Sequence, residues 1–164
     1  MKNGLVISDS GPIFSLAVIG EMRILEALFD EVYIPRAVWE ELTRDKTTDF
    51  YPDIVEFFAT KVREIAGFNE LTFVMDYGES EAIILYRELE ANYLLIDDKK
   101  ARSIAENFDI QCIGTIGLLA IAKGRGIINE LRPLFLILLK KKRFYSLDLL
   151  NAILKKYGEA EIKI

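Results

Sequence analysis

Short apolar runs alternate with stretches of helical spacing along this chain. Leu5-Val6-Ile7 is the first run, and Ser8-Asp9-Ser10-Gly11-Pro12 breaks it. Residues 13–29 carry helical spacing, interrupted near Gly20. Val32-Tyr33-Ile34 predicts a second strand. Pro35 suits the first turn of the next helix, with Ala37, Val38 and Leu42 at helical intervals. Residues 53–60 predict a short helix, whereas 66–77 follow no regular pattern. A helix over 78–91 puts Ala82, Ile83, Tyr86 and Leu89 on one side. Tyr93-Leu94-Leu95-Ile96 is the cleanest buried strand and ends at Asp97-Asp98. Residues 101–108 read as helix and 110–113 as strand, with Thr115 placed to cap a helix running to Lys123. Residues 129–142 and 146–157 predict two closing helices whose Leu- and Ile-rich faces must pack on something.

Near-continuous apolar strands alternating with helices imply an α/β fold, a parallel sheet covered on both faces. In such sheets the functional crevice lies outside the carboxyl ends of the strands. The 164 residues amount to one domain at roughly 150 residues each. Apolar residues make up 51% and charged residues 29%, a globular composition rather than a disordered one. No apolar run approaches the roughly 18 residues of a membrane helix. Asp9 falls too early for a secretory signal core, so the expected compartment is the cytoplasm, without membrane attachment.

Composition then removes whole classes of chemistry. There is no histidine, which excludes Ser-His-Asp triads, Cys-His pairs and the usual zinc sites. The lone Cys112 excludes internal disulfides and reads as a buried, inert thiol. Acids outnumber bases 26 to 21, so oxygen ligands and hard metal ions are the natural tools.

The acids fall where the crevice rule wants them. Asp9 follows the first strand, and Asp97 and Asp98 follow the Tyr93–Ile96 run. Carboxylates brought together there repel unless a proton or a cation intervenes, and Mg²⁺ or Mn²⁺ is the simplest cation. Asp9 also fits a turn ahead of Gly11-Pro12, and Asp97-Asp98 a helix cap with a first-turn acid. Glu40-Glu41 and the pair Glu79 and Glu81 add acids at two helical positions. Residues two apart on a helix point in different directions, so Glu79 and Glu81 have different jobs. Lys99, Lys100 and Arg102 follow the acidic pair where a phosphate backbone can pass. Lys140-Lys141-Lys142-Arg143 reads as a solvated helix C-terminus favoured by the dipole. Tyr33, Trp39 and Phe108 fit core packing better than base stacking.

In this order the motifs resemble the PIN-domain nucleases, specifically a VapC-toxin-like prokaryotic branch. The matching stretches are Val6-Ile7-Ser8-Asp9-Ser10-Gly11-Pro12-Ile13, then Val32-Tyr33-Ile34-Pro35 through Val38-Trp39-Glu40-Glu41-Leu42. Gly78-Glu79-Ser80-Glu81-Ala82-Ile83, Leu94-Leu95-Ile96-Asp97-Asp98 with Ala101-Arg102, and Ile113-Gly114-Thr115 complete the set. The resemblance covers about 4–140. It implies a three-layer α/β/α fold with a parallel sheet of about five strands, and C-terminal helices over about 129–157. It also implies Mg²⁺- or Mn²⁺-dependent cleavage of RNA at a carboxylate cluster, a small antitoxin partner and a homodimer.

Carried over by motif, Asp9 is the first-strand metal ligand and Glu41 the helical acid. Glu81 is the acid opening the helix before the fourth strand, and Asp98 the acid after that strand. Glu79 and Asp97 are rivals for the last two places. Ser10 matches a hydroxyl that orients Asp9. Ser10, Lys99, Arg102 and Thr115 are the substrate-binding candidates. Two other readings use the same acids: a non-catalytic binding module, and a phosphoryl-receiver domain. A receiver would want an acidic pair after the first strand and a lysine after the last. Asp9 stands alone before Ser10, and Gly114-Thr115 follows the last strand.

Overall fold

A computed structural model describes residues 2–143 and 145–163. Five strands form one sheet: β1 (Leu5–Ser8), β2 (Glu31–Pro35), β3 (Val62–Arg63), β4 (Tyr93–Leu95) and β5 (Cys112–Ile113). The order is β3-β2-β1-β4-β5, and every pairing is parallel. Ile7 of β1 stands opposite Tyr33 on one side and Leu94 on the other. The order therefore reverses between β1 and β4, the switch point where such sheets open their crevice.

The strand side chains alternate between two apolar layers, as a period of two demands. Val6, Val32, Ile34 and Leu95 enter one core, while Ile7, Leu94 and Ile96 enter the other. The larger core takes α1 (Ser10–Val18), α2 (Arg23–Leu28), α3 (Arg36–Thr43) and α4 (Tyr51–Phe58). The smaller core takes α5 (Tyr77–Glu88) and α6 (Lys99–Asn107). The closing helices α7 (Thr115–Gly124), α8 (Arg132–Lys140) and α9 (Leu147–Lys156) complete the larger one. Phe135, Leu138, Leu150 and Leu154 are fully buried there, which answers what the C-terminal leucines pack on. The result is the expected three-layer α/β/α sandwich.

The irregular stretch 66–77 contains a 3-10 turn, Glu70–Phe73. The spacing gave no sign of β3, a two-residue edge strand with Val62 only half-buried. Thr115 is not the cap of α7: Gly114 is, and Thr115 is its first helical residue. Phe108 is 45% exposed rather than core, with the Arg87 guanidinium over its ring. Cys112 is half-buried, and burial, with the Glu106 charge adding, pushes its thiol up to about 11. No helix among the described residues is long and apolar enough to cross a membrane.

The end of α8 bears on the site. Lys142 takes a left-handed conformation, φ 57°. The Lys142 N–H donates to the Leu139 carbonyl and the Arg143 N–H to the Leu138 carbonyl. This pair of bonds is a Schellman closure, with lysine at the position glycine usually fills. It turns the chain sharply back, so Arg143 points at α1 instead of continuing a solvated face.

Candidate active site

Asp9 is the first residue after β1 and the N-cap of α1. Its backbone N–H donates to the Leu95 carbonyl at 2.9 Å, fixing it to the end of β4. Only 7% of its surface is exposed. Burial pushes its carboxyl up to about 8; the Ser10 backbone N–H opposes the shift, and the charges of Glu41, Glu79 and Asp76 add to it. Among the described residues, the side-chain charges that shift it are carboxylates.

Glu41 comes from the C-terminal half of α3. Burial raises its pKa, the Ser10 hydroxyl opposes, Asp76 raises it further and Arg44 lowers it. Ser10 Oγ donates to Glu41 Oε2 at 2.8 Å. The hydroxyl expected to orient Asp9 thus orients Glu41, because Ser10 opens α1 facing α3. The Glu41 carboxylate lies against Gly78 of α5, where an added β-carbon would overlap it. Only glycine leaves room for that approach.

Glu79 sits in the first turn of α5. Burial pushes its carboxyl up to about 7, with Asp76, Asp98 and Glu41 adding and Lys100 opposing. Asp76, the N-cap of this helix, accepts from the Glu79 N–H at 2.9 Å. Its charge bears on Asp9, Glu41 and Glu79 together. The sequence reading missed Asp76, although Asp76-x-x-Glu79 has the spacing of a capping box.

Glu81 is placed otherwise than Glu79. Its Oε1 accepts from the Ala37 N–H at 3.1 Å, at the start of α3. Pro35 occupies the cap of that helix and offers no side-chain acceptor, so Glu81 satisfies one of its orphan donors. The charge of Glu79 is among those that raise Asp9. Glu81 still lines, with Glu40, Glu41, Asp76, Arg36 and Arg44, a cavity of about 740 Å³.

The acidic pair after β4 divides its work. Asp98 caps α6, its Oδ1 accepting from the Ala101 N–H at 2.8 Å, and its charge bears on Glu79. Asp97 is fully engaged in the protein. Its Oδ1 accepts from the Thr115 N–H at 2.7 Å; its Oδ2 accepts from Thr115 Oγ1 at 2.7 Å and from the Tyr145 hydroxyl at 2.8 Å. Thr115 is buried in that bond. Lys99 and Arg102 line a second cavity of about 580 Å³ with Asp97, Gly114 and Tyr145. Arg102 pairs with Glu106 at 3.1 Å, and it is Lys100 whose charge reaches Glu79.

Asp9, Glu41, Glu79 and Asp98 come from four elements and are linked electrostatically: the charges of Glu41 and Glu79 bear on Asp9, that of Asp98 on Glu79, and that of Asp76 on Asp9, Glu41 and Glu79. The donor set is carboxylate oxygen alone, which suits a hard divalent cation. Among the described residues no three such side chains already stand at ligand distance from a common point.

The architecture is a parallel α/β sheet with a group of acids at its switch point. A family model described as a PIN domain matches residues 5–159, and the chain belongs to the PIN-domain family. PIN domains are generally nucleases and typically use divalent metal ions. No curated protein matches the chain.

Proposed function

We propose that this protein is a Mg²⁺- or Mn²⁺-dependent endoribonuclease, the toxin component of a toxin–antitoxin pair. The observation that carries the nuclease reading is Asp9, a buried carboxyl pushed up to about 8 by burial, with the charges of three other acids adding. Such a group either holds a proton or ionises with a cation beside it, which makes it a natural partner for a metal ion. Asp9, Glu79 and Asp98 would hold the ion, with Glu79 taking the place the motif resemblance gave to Glu81. When bound, a divalent ion lowers the pKa of water and stabilises charge on a scissile phosphate. Glu41, held by Ser10, is the carboxylate left to orient or deprotonate the attacking water. Lys99 and Lys100, next to Asp98, supply positive charge along which an RNA backbone can lie.

The toxin role, the antitoxin, the homodimer and the cytoplasmic location rest on the ordered motif resemblance. Membership of the PIN family argues against a phosphoryl receiver. A single-stranded RNA with a fluorescent label tests the enzyme reading. Wild-type protein with Mn²⁺ should cut it, and Asp9→Asn should lose at least ~100-fold. Equal cleavage by a folded Asp9→Asn protein, judged by circular dichroism, overturns the mechanism.

The absence of a preassembled ligand set among the described residues favours a second reading, a binding module whose acids are structural. Calorimetry separates the two. A nuclease binds Mn²⁺ in a way that Asp98→Asn abolishes, and a module of structural acids shows no such binding.

A further inference from the structure

We propose that Arg143, Ser15 and Tyr145 are positioning residues of the acidic site, forming one directed hydrogen-bond chain that ends on Asp97. This inference rests on the nuclease reading and extends it to the segment joining α8 and α9.

The direction of the chain follows from chemistry. Arg143 Nε reaches Ser15 Oγ at 3.1 Å, and a guanidinium only donates. Tyr145 reaches Asp97 Oδ2 at 2.8 Å, and a carboxylate only accepts. The Tyr145 proton is therefore committed to Asp97. The Ser15–Tyr145 contact of 2.7 Å must then carry the serine proton toward the phenol oxygen. The chain runs Arg143 to Ser15 to Tyr145 to Asp97, with a cation at one end and an anion at the other. Linked hydrogen bonds of one sense polarise and strengthen each other.

Its middle member explains what it holds. A direct Arg–Asp pair would fasten the C-terminal segment to β4 alone. Ser15 lies on α1, so the chain cannot form without that helix in place. Arg143 Nη2 also donates to the Gly11 carbonyl at 3.1 Å, one turn before Ser15 on the same face. The guanidinium grips α1 at two points, two and six residues after Asp9. At its far end the chain fixes Asp97, the neighbour of Asp98. Two of the three proposed ligands, Asp9 and Asp98, are thereby set by a segment more than forty positions further along the sequence than either. Errors of about 1 Å in such placement cost about 100-fold in rate.

The test uses the full chain, Mn²⁺ alone as the binding probe and the labelled RNA as substrate. Tyr145→Phe deletes one hydroxyl from the chain, and Arg143→Met deletes its head. Each should lower kcat at least ~10-fold with KM for RNA nearly unchanged, and weaken Mn²⁺ binding ~5-fold or more. The double variant should be no worse than the more severe single one, because both break the same chain. Ser146→Ala is the control: it removes the α9 cap, whose Oγ accepts from the Leu149 N–H, and leaves the chain intact. It should lower the melting temperature but keep kcat and Mn²⁺ affinity.

Wild-type kcat and Mn²⁺ affinity in a folded Tyr145→Phe protein overturn the proposal, as does an equal loss of activity in Ser146→Ala. Wild-type protein that neither binds Mn²⁺ nor cuts RNA defeats the nuclease reading instead. Hydrogen exchange then decides the chain by itself. Faster exchange across α1 in Tyr145→Phe, but not in Ser146→Ala, sustains it, and unchanged exchange sinks it.

Discussion

Gly78→Ala separates the fold from the site with a single methyl group. The backbone of Gly78 is helical in the first turn of α5, so alanine is not strained there, and helix propensity favours it by up to ~1 kcal/mol. The new β-carbon overlaps the Glu41 carboxylate, the far end of a flexible side chain. That end swings away and gives up the Ser10 hydroxyl. A hydrogen bond to a charged group contributes ~1.5–3 kcal/mol, but a half-buried carboxylate recovers most of this from water. The two effects nearly cancel. Stability should stay within ~1 kcal/mol, a shift of about 2–4 °C in melting temperature for a domain of this size. Activity has no such compensation, because Glu41 is now out of place: kcat/KM should fall ~100-fold or more. Calorimetric melting and RNA cleavage on the same preparation check both halves. Wild-type cleavage by Gly78→Ala would show that Glu41 need not sit where the structure puts it. A fall of 10 °C or more would show that the backbone, not the side chain, had to yield.

Glu79→Gln should abolish cleavage, whereas Glu81→Gln should keep most activity and lower stability by ~1 kcal/mol through the weakened cap on α3; urea midpoints and initial rates report the two, and the reverse pattern refutes the assignment. Asp9 stays protonated to about 8 when folded and only to its ordinary value of 3.8 when unfolded. The unfolded chain therefore binds fewer protons between those limits, so metal-free stability should fall as pH rises from about 4 to 8, by up to ~1.4 kcal/mol per unit, and level off above. Glu79 adds a smaller fall up to about 7, reduced by solvent screening. Asp9→Asn should flatten most of that slope, which urea titrations across the range would show. Mn²⁺ at 100 times its dissociation constant should restore ~2.7 kcal/mol to wild type and nothing to Asp9→Asn, and it should bind more tightly as pH rises because it needs ionised carboxylates.

The elements that carry the site were readable because they obey strong local rules. Leu5-Val6-Ile7 and Tyr93-Leu94-Leu95-Ile96 are uninterrupted apolar runs, and polar residues follow them at once. That was enough to place Asp9 and Asp98 at one rim. What failed depends on rotation and on contacts between distant segments. Glu79 and Glu81 are equally acidic and equally helical, and only tertiary packing decides that the charge of Glu79 bears on Asp9 while Glu81 accepts from the Ala37 N–H. Ser10 could be read as serving Asp9 because the two are adjacent, whereas its hydroxyl crosses to another helix. β3 has two residues and borrows its pairing from β2, so no pattern could announce it. Arg143 ends a run of four cations that composition marks as solvated. The left-handed turn at Lys142, which no glycine advertises, brings it inside.

The four acids of the proposed site enter the chain at residues 9, 41, 79 and 98, and the strand that locates the first is bonded to the strand that locates the last. No early fragment holds the set. A ribosome building this protein must therefore release everything through Asp98 before the acids can meet, and the clasp at Arg143 and Tyr145 emerges later still. A chain assembled in that order brings its acids together only after the Asp98 segment has emerged, and clasps them last.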